Sequence, residues 1–289
     1  MAGVGRVTVS ERRSTTARTL VSGPVPPTSA RDLLALACDL AEEAGALLLD
    51  GLAGATVLAS KSSPTDMVST MDRASEELIV SGIRRARPDD AIVGEEGTAD
   101  AGTSGVRWIL DPLDGTTNYL YALPAFAVSI AVEVDGEVEV GVVAHPSSGE
   151  TFAAVRGGGA TCNGVPIACS RETELAHALV GTGFSYDPAR RARQGAVAGR
   201  VLPRARDIRR FGAAALDLCW VACGRLDAYY EKGLQVWDLA AGGLVASEAG
   251  ARVGDLAGSA ASPAFCLAAA PGLFDELRTV LVDAGAHDA

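Results

Sequence analysis

The spacing of apolar residues changes twice along this chain of 289 residues, which restricts the folds open to it. Apolar residues recur at helical intervals from residue 29 to residue 85, and they alternate with polar residues from 125 to 167. Beyond residue 171, strand-like and helix-like runs follow each other in turn. The pattern predicts an α+β half over residues 29–172 and an α/β half over residues 173–289, layered as helices and sheets.

Turn signals divide the alternating stretch into antiparallel strands. Asp135–Gly136 separates two runs in which Val132 and Val134 would face Val138 and Val140, and such a pair is typical of a two-residue hairpin. Before this stretch, strand-like runs at 91–94 and 106–110 each end in acidic residues, and helices are expected over about 29–48 and 72–85. The elements expected in the second half are strands at 179–184, 226–230 and 266–270 and helices at 213–222, 237–249 and 273–282.

The charge balance limits the partners that suit this chain. Apolar residues make up 48% and charged residues 21%, which is the composition of a soluble protein with a large core. The net charge of −11 argues against nucleic acid or an anionic membrane as the main partner and favours a protein that gathers cations. No apolar run approaches the ~18 residues of a membrane-spanning helix.

Two features bear on the cellular compartment. Residues 1–28 are rich in Ser, Thr, Arg and Pro, with Glu11 the only acid, and bury too little apolar surface to fold, so we expect a disordered tail. A transit peptide has a similar composition and is the alternative. The six cysteines lack the spacing of a zinc site. We expect reduced thiols and a cytoplasmic location.

The most informative stretch runs from Trp108 to Asn118. A buried strand delivers Asp111 at its end, and Pro112 sets a turn that brings Asp114 back alongside it. Two carboxylates at such a corner suit a hard divalent cation, which prefers oxygen ligands. The amides of Gly115 and Thr116, at a possible helix start, would meet a phosphate. An Asp-rich turn with a helix cap is the alternative interpretation.

Further acids stand at the ends of other predicted elements. Glu95 ends the strand at 91–94, and Asp238 follows Trp237 at the start of a helix, where helix capping is the simpler explanation. Asp72 lies near another helix start, after a segment that includes Lys61.

In order and spacing, these four segments resemble the signature of the inositol monophosphatase family, and the resemblance covers nearly everything from Ser29 onward. It implies the layered α-β-α-β-α sandwich shared by inositol monophosphatases and fructose-1,6-bisphosphatases. It also implies a homodimeric phosphatase that uses two or three Mg²⁺ ions per site and is inhibited by Li⁺.

The resemblance also implies roles for individual residues. Asp72 and Thr116, with Glu95, would take the proton from a metal-activated water that attacks phosphorus, and Lys61 would lie in a loop near the metals. Carboxylates ~6 Å apart repel by about 3 kcal/mol at an effective dielectric of ~20, so the acid cluster needs metal or protons. The implied metal ligands are Glu95, Asp111, the Leu113 carbonyl, Asp114 and Asp238.

The substrate expected from the resemblance is a small phosphorylated metabolite, with myo-inositol 1-phosphate leading. Glu231 would accept hydrogen bonds from ring hydroxyls, and its alternative is a solvated carboxylate at a strand end. Relatives of this fold cleave fructose 1,6-bisphosphate, histidinol phosphate or 3′-phosphoadenosine nucleotides. A bisphosphate needs a second cationic pocket, and Glu231 argues against one. The implied substrate contacts are Asp114, Gly115, Thr116, Gly212, Ala213, Ala214, Glu231 and Asp238.

A rival hypothesis rests on a basic strip. Eight arginines and one acid, Asp207, lie between Arg190 and Arg210, which would suit a nucleic-acid or protein docking module on a phosphatase fold. No aromatic residue interrupts the strip, and a solvated helix face or a dimer contact explains it as well. The acid cluster favours the enzyme.

Overall fold

The computed structural model describes residues 29–54, 57–60 and 67–289. The expected tail over residues 1–28 and Lys61 lie outside the described residues. The helices of the described part are α1 (Ala30–Gly51), α2 (Thr70–Ala86), α3 (Thr116–Leu120), α4 (Pro188–Val201), α5 (Ala214–Ala222), α6 (Val236–Glu248) and α7 (Phe274–Asp283). Its strands are β1 (Val57–Ser60), β2 (Met67–Ser69), β3 (Ala91–Gly94), β4 (Ala99–Asp100), β5 (Val106–Asp114), β6 (Ala127–Val134), β7 (Glu137–His145), β8 (Glu150–Val155), β9 (Gly159–Cys162), β10 (Val165–Pro166), β11 (Leu179–Thr182), β12 (Asp207–Arg209), β13 (Ala228–Glu231), β14 (Arg252–Gly254) and β15 (Cys266–Ala269).

The elements stack in five layers. Helices α1 and α2 cover one face of a large sheet, and α5 and α6 cover its other face. The same pair, α5 and α6, also contacts a second sheet, on which α7 packs together with α4. The architecture is therefore the expected α-β-α-β-α sandwich, because each sheet has two apolar faces to bury.

The large sheet has eight strands in the order β10-β9-β8-β7-β6-β5-β3-β4. Its neighbours pair antiparallel except β3 and β5, which run parallel and therefore end at the same edge. The second sheet has the order β12-β11-β13-β15-β14 and contains parallel pairs around β11. The sheets divide the chain between Pro166 and Leu179, while the domain boundary at residue 172 stays a prediction.

Helix starts follow the capping chemistry of the sequence. The Ser29 side chain accepts a hydrogen bond from the Asp32 amide at the start of α1, as predicted. Helix α2 begins two residues before the predicted Asp72, because Ser69 and Asp72 form a reciprocal capping box. This box fixes the Asp72 carboxylate, which is 1% exposed.

The hairpin between β6 and β7 has the predicted turn and a different register. Asp135 and Gly136 both have positive φ angles, 52° and 88°, as a two-residue turn requires. Val132 lies opposite Val140, but Val134 pairs with Glu137. The two-residue turn fixes the Val134–Glu137 pair. A register shift between Val132 and Glu133 then brings Val132 opposite Val140.

The described residues carry three apolar clusters: one under α1 and α2, one around α5 and α6, and one under α7. All six cysteines are free thiols, and Cys219 is buried in the central cluster. Cys223, at the end of α5, is only half-buried. No helix among residues 29–54 and 67–289 has the length and apolar character needed to cross a bilayer.

Candidate active site

A cavity of about 510 Å³ opens where strand ends of the large sheet meet α5 and α6. Most predicted site residues line it, from both halves of the chain. Its walls are formed by Glu95, Asp111, Leu113, Asp114, Gly115, Thr116, Phe184, Ser185, Tyr186, Asp187, Arg190, Arg210, Gly212, Ala214, Glu231, Lys232, Gly233, Leu234, Gln235, Trp237 and Asp238.

A bulge in β5 brings its two acids to the same side. Residues three apart on a regular strand point to opposite faces. Asp111 pairs with Ser129 and Asp114 with Ala127, so three steps on β5 match two on β6. The extra residue turns both carboxylates into the cavity. The Leu113 amide then donates to Asp111 Oδ1 at 3.1 Å, which fixes the corner.

The start of α5 holds the second acid of this corner. The backbone amides of Ala214 and Ala215 donate to the Asp114 carboxylate at 3.2 and 2.8 Å, which satisfies donors that a helix start leaves free. Gly115 permits this approach, since it has a φ of 89° and an added Cβ would lie 2.9 Å from Ala125 O. Sequence reasoning had no signal for this contact, because it joins residues a hundred positions apart.

Glu95 and Asp238 complete the acid cluster. The Glu95 amide donates to Leu110 O at 3.1 Å, so the turn after β3 lies beside the end of β5. Asp238 sits in the first turn of α6 and accepts a 2.6 Å hydrogen bond from the Gln235 amide. Its helix-capping role is therefore real, and it faces the cavity as well.

Burial and mutual repulsion raise the pKa values of Asp111, Asp114 and Asp238. Burial is the main cause for Asp111, whose pKa is well above its usual value, with Glu95 and Asp114 adding repulsion. Burial also raises the pKa of Asp114 to about 7, against the opposing effect of the Ala215 hydrogen bond. The pKa of Asp238 is raised by burial and by Asp114. Ionised together, these groups need positive charge nearby.

The donor chemistry of the cluster suits a hard cation such as Mg²⁺, since every candidate ligand is an oxygen. Within the described residues, no three His, Cys, Asp or Glu side chains are already grouped as a metal-holding set. Besides burial, the charges of Glu95, Asp114 and Asp238 nevertheless all act on Asp111 and raise its pKa. The residues fit a cation whose binding would draw them together.

A hydroxyl–carboxylate pair lies beside the cluster. The Thr116 hydroxyl is 2.8 Å from Asp72 Oδ1 and 3.2 Å from Leu113 O. Asp72 Oδ2 accepts from the Ser69 amide at 2.8 Å, so the carboxylate is fixed on both sides. Thr116 lines the cavity and Asp72 lies behind it.

Glu231 lies on the wall of the cavity at the end of β13. The Tyr229 hydroxyl donates to Glu231 Oε2 at 2.5 Å. Gly183 provides the space, since a Cβ there would lie 1.8 Å from the same carboxylate oxygen. Burial raises the pKa of Glu231, against the effects of Tyr229 and Arg210. Gly183 was not recognised from the sequence, because its contact with Glu231 crosses from the end of β11 to β13. Tyr229 and Glu231 lie two residues apart on β13 and so share a face, a spacing that could have indicated their contact.

Ala213 differs from the other predicted substrate contacts. It is 1% exposed and does not line the cavity, whereas Gly212 and Ala214 do. Its side chain packs near Gly115 at the start of α5, so it shapes the site from behind. Arg190 and Arg210, at the ends of the basic strip, do line the cavity, a position the sequence alone did not indicate.

Comparison with known proteins places the chain in a family. The profile described as "Inositol monophosphatase family" matches residues 29–284. An "Inositol-1-monophosphatase" of Mycobacterium leprae is 45% identical over 242 residues, 80% of this chain and 83% of that protein. The "Nus factor SuhB" of Pasteurella multocida is 43% identical over 219 residues, 74% of this chain and 82% of that protein.

The fold gives the same result. The crystal structure of extragenic suppressor protein suhB from Bartonella henselae matches with a TM-score of 0.82 and 36% identity, over 86% of this chain and 98% of that one. Fold and matches together define a phosphatase, an enzyme of the phosphoric monoester hydrolase class. The chain belongs to the inositol monophosphatase family.

Proposed function

We propose that this enzyme hydrolyses myo-inositol 1-phosphate to inositol and phosphate with Mg²⁺ as its cofactor. The observation that carries the proposal is the buried acid corner of Asp111 and Asp114 beside the hydrogen-bonded pair of Thr116 and Asp72. The name of the Mycobacterium leprae relative, "Inositol-1-monophosphatase", supports the choice of substrate.

In this proposal the cation is held by carboxylates and one carbonyl around the corner. Bound Mg²⁺ supplies positive charge to the phosphate oxygens and to the leaving oxygen. The repulsion among these carboxylates would be offset by the bound cation, which would account for so many acids being buried together. The proposed ligands are Glu95, Asp111, the Leu113 carbonyl, Asp114 and Asp238.

The Thr116 hydroxyl would relay the proton of the attacking water. It donates to Asp72 Oδ1 over 2.8 Å, so its lone pairs remain able to accept a proton while its own passes to Asp72. Glu95 lines the same cavity and would share the task of orienting the water. The capping box with Ser69 keeps the Asp72 carboxylate in place during this transfer.

Substrate orientation would come from both walls. Gly115 and Thr116 line the side next to the acids and would contact the phosphate through individual backbone amides, since α3 has only five residues and a weak dipole. Glu231 on the opposite wall would accept hydrogen bonds from ring hydroxyls, and the small Ala214 would leave room for the ring. Gly212 and Asp238 would also contact the substrate.

Phosphate release from a panel of monoesters, with Mg²⁺ and with chelator, tests the proposal. The panel contains inositol 1-phosphate, fructose 1,6-bisphosphate, histidinol phosphate and 3′-phosphoadenosine 5′-phosphate. We expect Mg²⁺-dependent release with the highest kcat/KM on inositol 1-phosphate, and inhibition by millimolar Li⁺. Release that is unchanged by chelator would overturn the metal assignment, and a higher kcat/KM on another ester would overturn the substrate.

We also propose a cytoplasmic location, which the six free thiols support, and a homodimer, which rests on the family resemblance alone. A docking function has one favouring observation, the name "Nus factor SuhB" of the Pasteurella relative. Six of the eight arginines in the basic strip, however, are bonded to the chain itself. Arg191, Arg193, Arg200 and Arg206 donate to backbone carbonyls, and Arg204 and Arg209 pair with carboxylates. An RNA gel shift by a protein that releases no phosphate would favour docking over catalysis.

A further inference from the structure

A buried glutamine bonds to two loops of the active-site cavity. Residues 184–187 lie after β11 and residues 232–235 lie after β13, and both loops line the cavity. Gln194 lies on α4, is 6% exposed and accepts a hydrogen bond from the Ser185 amide at 2.7 Å. Its Nε2 donates to Lys232 O at 3.3 Å. These two backbone groups fix the orientation of the Gln194 amide, because only its oxygen can accept from an N–H.

The two partners of Gln194 lie on either side of the Glu231 carboxylate along the chain. Ser185 is two residues beyond Gly183, where an added Cβ would lie 1.8 Å from Glu231 Oε2. Lys232 follows Glu231 directly. Gly183, Gln194, Glu231 and Lys232 also share the lining of a second, smaller cavity. A shift of either loop would therefore move the Glu231 carboxylate relative to the acid corner.

Other contacts fix each loop separately. Arg191 donates to Ser185 O at 2.9 Å, so the first loop is held against the start of α4. The Lys232 side chain donates to His287 O, so the second loop is held to the segment after α7. Gln194 bonds to both loops. Its side chain therefore fixes the distance between them.

We propose that Gln194 is a positioning residue for substrate recognition. By fixing the spacing of the two loops, it places Glu231 against the ring of the substrate alcohol. This rests on the proposed function, in which Glu231 accepts hydrogen bonds from ring hydroxyls. Gln194 lies outside the lining of the active-site cavity and touches neither the phosphate nor the cation. Its loss should weaken recognition of the alcohol and leave the chemistry at the acid corner intact.

Gln194→Met tests the spacing, because methionine is an unbranched side chain that can fill the same space and makes neither hydrogen bond. We expect kcat/KM for inositol 1-phosphate to fall by about tenfold, mainly through a higher KM, since small displacements of a positioned group have effects of this order. Hydrolysis of p-nitrophenyl phosphate, which has no ring hydroxyls, should keep its kcat and KM. Equal losses on the two esters would overturn the positioning role.

Thr182→Val is the matched structural control. The Thr182 hydroxyl is buried and donates to Tyr230 O at 2.9 Å, between the same two strands that lead into the loops. Valine keeps the shape and removes this bond, so the melting temperature should fall while the ratio of kcat/KM between the two esters stays unchanged. If Thr182→Val shows the same ester-dependent loss as Gln194→Met, general loosening explains the effect and the proposal is wrong.

Gln194→Glu is the second variant and separates the two bonds. An ionised carboxylate still accepts from the Ser185 amide and has no proton to donate to Lys232 O. The first loop stays held, and the link between the loops is lost. We expect the same ester-dependent loss as in Gln194→Met. Wild-type kinetics in Gln194→Glu would show that the link is dispensable and would overturn the proposal.

Amide hydrogen exchange keeps the inference separate from catalysis. In Gln194→Met, exchange in residues 184–187 and 232–235 should be at least about tenfold faster than in the wild type, while exchange in β6 and β7 stays unchanged. If no ester is hydrolysed, the proposed function fails, and this exchange measurement still decides whether Gln194 fixes the two loops. Unchanged exchange in both loops would overturn the inference.

Discussion

The Asp114 carboxylate accepts a 2.8 Å hydrogen bond from the backbone amide of Ala215. This contact joins the end of β5 in the large sheet to the start of a helix packed between the two sheets. A residue proposed to hold the cation is therefore positioned by the second half of the chain.

Asp111→Asn should nearly abolish turnover without disturbing the fold. An Asn oxygen can still accept from the Leu113 amide, so the corner survives, while the charge that holds a cation is lost. We expect kcat to fall by about 10³-fold, since metal charge stabilisation is worth several kcal/mol. Melting with and without Mg²⁺ checks the fold and the cation together. Glu137→Gln, on the exposed hairpin, is the control. Full activity in Asp111→Asn would end the metal assignment.

Thr116→Val tests the proton relay. Valine keeps the shape of threonine but cannot bridge a water and Asp72 Oδ1, which lies 2.8 Å from the present hydroxyl. Removing a proton-transfer group typically costs about 10²–10⁴-fold in rate. Thr116→Ser keeps the hydroxyl and should recover most of kcat. If Val and Ser variants are equally slow, the residue supports the turn and carries no proton.

Stability of the metal-free protein should fall as pH rises between about 4 and 7. Asp114 has a folded pKa raised to about 7 from 3.8, so the folded state binds more protons than the unfolded state in this window. The contribution of Asp114 to the free energy of unfolding is complete below pH ~4 and is lost as pH rises through ~7. With Mg²⁺ in excess the trend should reverse, because the cation binds ionised carboxylates. Melting temperatures from pH 5 to 8 in chelator and in Mg²⁺ check this. Parallel curves would contradict it.

Local sequence patterns predicted much of the fold, but they did not predict the contacts between distant segments that complete the site. Period and capping residues predicted α1, α5, α6 and α7, because these signals lie within one element. The Val134–Glu137 pair departs from the predicted register because the two-residue turn at Asp135–Gly136 joins its flanking residues directly. The place of Gly183 beside Glu231 depends on how β11 lies against β13. That order is set by packing between distant segments.

Glu231→Gln is the sharpest test of substrate identity. The Tyr229 hydroxyl holds Glu231 Oε2 at 2.5 Å, which leaves Oε1 as the oxygen for ring hydroxyls. Losing the charge should remove about 1.5–3 kcal/mol, or about ten- to a hundredfold in kcat/KM for inositol 1-phosphate. Hydrolysis of p-nitrophenyl phosphate, which has no ring hydroxyls, should hardly change.

Tyr229→Phe provides the matched second variant for this test. It leaves the Glu231 charge in place and removes only the hydrogen bond that orients it. We therefore expect a smaller loss on inositol 1-phosphate, of about fivefold for one bond of about 1 kcal/mol, and none on p-nitrophenyl phosphate. Equal losses on both esters in either variant would mean that the pair supports the architecture of the wall. No loss on either ester would remove Glu231 from substrate recognition, and the preference for inositol would then need another origin.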